Sequence, residues 1–496
     1  MATSKKDQIA KSKVQARIDG LMQKPKLNNR ETIKLNRLIE NEANRNSPPE
    51  PLEIKSSFVF GPKQEKNDSV YWNSLRPVPL TGSEKKSFAS KDSFLLKAYQ
   101  PGFKDSVQNA KRKFKPKHIL MGKAYNYSVD SVRRHEFFTI PGIMSPGTLS
   151  FNSVDGLRAS LPFSYLNDDS LGHNLTLGAE LAYAFSREKV DASFSLARKC
   201  NGMTNYWYRL AMGTSTSDFN RISGMTIMDN DFYTLWFEKN YKRFYRRDFL
   251  QLNASRDLAN GLNLALTVDY SDNRQLSNHS SYSFIKYADR EIQPNIPAND
   301  LVQSWQLENQ QSFSARVALE YTPRYRYRVR NNSKIYVRSK YPTFSLNYTN
   351  AFSGVLGSDS KYDFLKAGVR QTIDFGVANQ FSYIVDIGGF INKDKLYFED
   401  FRHFNALPVG FTFSSNANSF RLLPMYVYST NQRFVDAHAN LTTRKLILKQ
   451  LPLIRNMSFS ERLFVNYLSK SQKSNYVETG YGISNLFLMF NLEVVA

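Results

Sequence analysis

Histidine is the side chain best suited to proton transfer or metal ligation near neutral pH. This sequence has six: His118, His135, His173, His279, His403 and His438. None stands four residues from another with an intervening Glu, the arrangement a zinc protease needs. The stretch YFEDFRHFNAL sets His403 beside Glu399, Asp400 and Arg402. Imidazole with carboxylate is a metal ligand set and an acid–base pair. The same stretch lies in a long gap between strand-patterned segments, and it is read here as a polar outer loop. No Gly-rich phosphate loop and no GxSxG elbow occurs. Cys200 is the single cysteine, so an internal disulfide and a cysteine-based zinc site are excluded. The glycosylation patterns at Asn174 and Asn253 lie in or beside strand-patterned segments and are discounted. The expectation is a non-enzymatic chain with no catalytic residue, no metal and no cofactor.

The remaining chemistry is charge, and its spacing points to the elements that carry it. From Leu262 to Tyr270, Leu262, Leu264, Leu266, Val268 and Tyr270 share one face, and Asn263, Ala265, Thr267 and Asp269 share the other. A period of two is a β-strand with one apolar and one polar face. Leu175 to Phe185 and Leu365 to Val377 repeat the pattern. Such segments reach ~9–11 residues, enough to span a bilayer when tilted. The fold class predicted is all-β, a transmembrane antiparallel β-barrel of about 14–16 strands. It is preceded by a short, partly helical periplasmic segment.

In a barrel the polar face looks into the lumen. Glu180, Asp191, Asp269, Asp374, Asp386 and Glu461 are therefore expected inside, paired with Arg158, Lys366, Arg370 or Arg462. A cation facing lipid at mid-depth costs ~2–4 kcal/mol. Candidate strands run from Leu149 to Val495 and include Phe232 to Glu238 and Arg421 to Ser429. Two long gaps, Ser271 to Ser312 and Asn392 to Asn418, are placed outside as loops.

Composition agrees. Aromatics make up 14% of the chain, with 36 Phe and 28 Tyr, as the girdles of a membrane barrel require. Mean hydropathy is −0.48, and no apolar run is long enough for a spanning helix. The net charge of +23 raises nucleic acid as an alternative partner. Basic residues interleave with Tyr and Phe at Lys239 to Arg247 and at Arg324 to Lys340. Both clusters lie between strand-patterned segments, so they are read as rim or loop. The partners expected are outer-membrane lipid and periplasmic or outer-membrane proteins. The alternative is a soluble basic β-protein that binds nucleic acid.

Residues 1–117 read as a charged periplasmic or linker segment and residues 118–496 as the barrel. Ile33, Leu35, Leu38 and Ile39 give a weak helical stripe that Pro48 and Pro49 end. Leu52 to Phe60 is a possible short strand, and Phe103 to Phe114 a basic helix. Thr81 or Ser83 caps a helix running to about Tyr99. His118 to Tyr127 reads as a strand. The N-terminus has no apolar signal-peptide core, so the chain is expected to start inside a longer outer-membrane protein.

Several stretches carry a family resemblance: VYWNSLRPVPLT with Tyr71, Trp72, Arg76, Pro77 and Pro79; SKYPTFSLNY with Tyr341 and Pro342; LGSDSKYDFLKAGV; and Tyr428 to Asn456 with Pro452. They resemble a family of Bacteroidota outer-membrane barrels of unknown function. The resemblance implies an N-terminal carboxypeptidase-regulatory-like sandwich and a barrel similar to the surface-antigen superfamily, which includes outer-membrane assembly proteins. It implies transport, assembly, secretion or anchoring, and it supplies no substrate. The sandwich is absent here, and NLFLMFNLEVVA lacks the usual terminal aromatic, so the closing strand is expected to be missing.

Overall fold

The computed structural model describes residues 18–23, 31, 34–35, 38, 80–99 and 113–496, except 128–133, 146, 170–172, 331–332, 338, 377–378, 414–417, 453, 455–456, 458, 471–473 and 487–489. The chain divides into two units, Met1–Val59 with Asp374–Asn379 and Phe60–Ile373 with Gln380–Ala496. In the first, residues 18–22 are helical, as are 31, 34, 35 and 38, and Ile18 and Leu35 are buried. The expected strand at Leu52 to Phe60 and most of the helix expected at Phe103 to Phe114 lie outside the described residues. So do Tyr71, Trp72, Arg76, Pro77 and Pro79.

The second unit begins with α1 (Gly82–Tyr99). Thr81 and Glu84 cap it reciprocally: the Thr81 N–H donates to Glu84 Oε2 at 2.8 Å, and the Glu84 N–H donates to Thr81 Oγ1 at 3.4 Å. Then come α2 (Lys117–Met121) and β1 (Lys123–Asn126). One strand was expected over this stretch. Ile119, Leu120 and Met121 break the alternation, and Gly122 ends the helix at φ +77°. A side chain on Gly142 would lie 2.2 Å from the Gly122 nitrogen, so two backbones meet here.

The wall continues with β2 (Arg134–Ile140), β3 (Leu149–Asn152), β4 (Gly156–Asp169), β5 (Asn174–Ala184), β6 (Lys189–Cys200) and β7 (Tyr206–Asp218). Helix α2 is followed later by α3 (Ile227–Phe237), between β7 and β8 (Phe244–Ala259). Next are β9 (Leu262–Gln275), β10 (Gln310–Tyr321), a separate hairpin of β11 (Tyr327–Arg330) and β12 (Ser333–Tyr336), and β13 (Thr343–Ala351). The last are β14 (Lys361–Phe375), β15 (Asn379–Lys395), β16 (Phe434–Thr443), β17 (Ser460–Lys470), β18 (Ser474–Leu486) and β19 (Phe490–Val495). One antiparallel sheet holds seventeen of these strands. That exceeds the expected number, because β1 and β3 are four-residue pieces and β2 and β3 pair with successive stretches of β4.

Two expected strands are absent. Phe232 to Phe237 lies inside α3 and Glu238 is its C-cap; Thr226 and Asp229 form a capping box that overrides the apolar run. Arg421 to Ser429 is a chain of turns. Three strands, β2 and the β11–β12 hairpin, had no counterpart in the sequence reading, which took Arg324 to Lys340 as rim or loop.

Alternation decides the two faces. On β9, Leu266 and Val268 are exposed while Ser271 and Asn273 are buried. On β16, Phe434, Asp436, His438 and Asn440 are buried in turn. The apolar set therefore faces outward and the polar set inward. Leu266→Lys tests that assignment. Refolded into vesicles, it is expected to lose ~2–4 kcal/mol if the position is at mid-depth. An unchanged urea midpoint would put this face in water.

Buried side chains from β8 (Tyr245), β13 (Ala351), β14 (Tyr362), β16 (Phe434) and β17 (Leu468) belong to one core cluster. Strands this far apart in pairing order share a core only if the sheet curls. The rest of the cluster comes from loops, chiefly Leu396, Phe398, Phe401, Phe404, Phe420 and Leu423.

Candidate functional site: the occupied lumen

Hairpin alternation puts the β7–β8, β9–β10, β13–β14 and β15–β16 connections at one end of the barrel. Three of these are long, residues 219–243, 276–309 and 396–433. The expectation for the last, an outer polar loop, is overturned. It turns inward, because Phe398, Phe401, Phe404, Phe420 and Leu423 are apolar and buried.

The inner wall grips this loop with charge. Arg402 Nη2 reaches Asp436 Oδ2 on β16 at 3.4 Å, and its guanidinium lies 5.1 Å from the Phe434 ring centroid. Asp386, on β15, holds Lys366 of β14 at 2.8 Å. Glu478 on β18 accepts the N–H groups of Arg421 and Leu422 at 2.7 and 3.1 Å. Arg421 Nε donates to Glu493 on β19 at 2.8 Å, and Glu493 also pairs with Arg462.

The other long loops hold the same segment from its far side. Asn299 Nδ2 donates to the carbonyls of Tyr426, Val427 and Ser429 at 2.6, 3.2 and 2.9 Å. Asp229 of α3 accepts from the Phe413 N–H at 2.7 Å, and Tyr233 accepts from the Phe411 N–H at 2.8 Å. Two wall glycines make room inside. Gly388 lies under the Phe434 ring and Gly480 under the Phe464 ring, and an added Cβ would stand 3.0 and 2.2 Å from those rings.

The His403 cluster sits in this interior. His403 Nε2 donates to the Phe398 carbonyl at 3.1 Å, and Nδ1 accepts from the Ser429 hydroxyl at 2.7 Å. Both ring nitrogens are used. Burial, with Arg221 and Arg402 nearby, lowers its pKa to about 3, so it is neutral and structural. Glu399 accepts from the amides of Gln275 and Gln310 at 2.8 and 3.3 Å. Burial raises its pKa to about 8. Asp400 accepts from Tyr362 at 3.1 Å and Ser360 at 3.3 Å, and burial raises its pKa to about 6. Among the described residues no group of three or more His, Cys, Asp or Glu could hold a metal.

The sequence-expected charges fall as follows. Asp269 on β9 holds Arg247 Nη2 with both oxygens, at 2.5 and 2.7 Å. Arg158 pairs with Asp191, and Arg187 joins Asp155 at 2.5 Å and Asp191 at 3.2 Å. Lys366 takes Asp386, as above. Arg370 pairs with Glu320 at 2.8 Å, half exposed. Glu180 faces the interior with no ion pair among the described residues. Asp374 is exposed near the end of β14.

Glu461 departs from the expectation. It shares the outward register of Leu463 and Val465, and four backbone N–H groups, from Leu446 to Lys449, donate to its carboxylate with the Tyr481 hydroxyl. The β16–β17 connection wraps it, which solvates a charge that would otherwise face apolar surroundings. Tyr341 is exposed beside Arg324 and starts a turn on Ser339, and Pro342 leads into β13. Pro452 is exposed in the same connection that wraps Glu461.

The two basic aromatic clusters separate. Lys242 and Arg247 are buried and paired with Asp218 and Asp269. In β11–β12, Lys334 lies 4.5 and 4.6 Å from the Tyr327 and Tyr336 ring centroids, while Arg328 and Arg330 are exposed.

An antiparallel β-barrel with an apolar outer face and a lumen filled by its own long loops is the class that this fold and site define. Residues 117–483 match the C-terminal domain of a family of unknown function, DUF5686, and the chain belongs to that family. No curated protein matches it. Among solved structures it is similar to BamA from Haemophilus ducreyi, in a crystal structure lacking POTRA domains 1–3. Identity is 10%, coverage is 76% of this chain and 71% of that one, and the TM-score is 0.36. It is similar also to CdiB from Acinetobacter baumannii, at 10% identity over 68% of this chain and 51% of that one, with a TM-score of 0.34.

Proposed function

We propose that this chain is a non-enzymatic outer-membrane β-barrel protein that rests closed and serves protein assembly, secretion or anchoring rather than free diffusion of solutes. The observation that carries the reading is the 396–433 loop, which fills the interior of a barrel whose outer face is apolar. The buried Phe side chains of this loop take up lumen space that an open pore would leave to water. The Bacteroidota source and the N-terminal carboxypeptidase-regulatory-like domain belong to the same reading.

The test is detergent extraction from membranes, gel mobility before and after boiling, and conductance in planar bilayers. A heat-dependent mobility shift with a silent bilayer is expected. A steady open conductance would remove the closed state. A water-soluble product that binds DNA with a steep salt dependence would replace the membrane reading with the nucleic-acid one.

A further inference from the structure

A cavity of about 480 Å³ remains between the inner wall and the inturned loops. Strands β8 to β10 and β13 to β15 supply its wall, and residues 219–222 and 399–403 close it. Its charges do not balance. Arg221 follows Phe219 and Asn220, both buried, and the Asn220 amide donates to the Phe404 carbonyl at 2.7 Å. The backbone is therefore fixed, while the Arg221 side chain stands accessible in the cavity with no hydrogen bond or ion pair among the described residues. Arg316, on β10, lines the same cavity and among the described residues donates only to Thr349 Oγ1, at 3.2 Å. Both guanidinium groups lie within electrostatic reach of the Tyr362 hydroxyl.

The other cations of the cavity are matched. Lys366 has Asp386, and Arg402 has Asp436. Of the three lining acids, Asp269 is committed to Arg247, and Glu399 is held by two side-chain amides. All three lie within electrostatic reach of Arg221, and none makes a hydrogen bond or ion pair with it among the described residues. A guanidinium that lines a cavity without a carboxylate partner can take up a planar oxyanion through two parallel hydrogen bonds.

We propose that this lumen cavity is a binding site for a small oxyanion, a carboxylate, phosphate or sulfate group, held between Arg221 and Arg316. The volume suits a small molecule. Protonation of the acids that face the site favours binding. Burial keeps Glu399 protonated up to about pH 8 and Asp400 up to about pH 6. Each proton lost places a negative charge beside the bound anion. His403, neutral throughout this range, and the paired Asp269, Lys366 and Arg402 leave the trend unchanged.

The test is equilibrium dialysis of the full chain in detergent against radiolabelled inorganic sulfate, whose charge is constant from pH 5.5 to 8.5, with chloride setting the ionic strength. One saturable site per chain is expected, weakening as pH rises across that range. Arg221→Gln and Arg316→Gln are each expected to weaken it at least tenfold, about 1.4 kcal/mol, while the heat-dependent gel shift stays intact. No saturable binding, or binding that survives both substitutions in folded protein, would overturn the proposal. Since the readout is binding in detergent, it stands apart from the conductance that tests the closed barrel.

Discussion

Phe398→Ala is expected to unplug the barrel without dissolving it. The ring is fully buried, with centroids 5.2 Å from Phe401, 5.1 Å from His403, 5.5 Å from Phe219 and 6.3 Å from Tyr426. Most of those partners are on inturned segments. Truncating a buried Phe costs ~3–5 kcal/mol. Here the loss falls on the docking of residues 396–433, while the wall keeps its strand pairing. The expected results are new conductance in planar bilayers and protease cleavage within 396–433. The gel mobility shift should be retained. A silent bilayer with an uncut loop would show that the ring does not hold the plug.

Glu399→Gln is expected to stabilise the protein at neutral pH and to leave it unchanged at pH 4. Burial raises the folded pKa of Glu399 to about 8, from an ordinary 4.5. Above pH 4.5 the unfolded chain gives up this proton and the folded chain keeps it. Stability therefore falls as pH rises, across the window from 4.5 to about 8. At pH 7 the accumulated cost is roughly 3 kcal/mol, at about 1.36 kcal/mol per pH unit. Gln carries no such cost, and Gln275 can rotate its amide to accept from the new NH₂ group. Urea unfolding in vesicles at pH 4 and pH 7 separates the outcomes. Equal destabilisation at both pH values would mean that the carboxyl is required for its geometry.

The wall was legible because lipid on one side and a polar interior on the other impose a period of two. Leu262 to Tyr270 showed it, and β9 follows it. Leu365 to Val377 likewise lies along β14, which ends at Phe375. The exceptions share a cause. α3 is rich in Phe, Tyr and Trp, which suit strands, but the Thr226–Asp229 capping box and partners in the 396–433 loop make it a helix. The apolar residues between Leu396 and Leu423 have no regular period, since irregular chain packs on every side. That left YFEDFRHFNAL reading as polar. The pairing of Arg402 with Asp436 and of Arg421 with Glu493 joins positions 34 and 72 residues apart, which no local spacing encodes. Asp269 could be assigned to the polar face but not to Arg247, because partner choice depends on register.

The anchors of the 396–433 loop are spread over β9, β10 and β14 to β19 and over two other loops. No subset of neighbouring strands contains enough of them to hold it. The loop can dock only after the wall has curved, and once docked it ties non-adjacent strands together. Filling of the lumen is then a late step that follows curvature of the wall and is dominated by contacts distant in sequence, a topology that folds slowly. Until the loop docks, its Phe-rich segment lacks its apolar partners, which makes this protein's own interior the part most prone to aggregate while the chain folds.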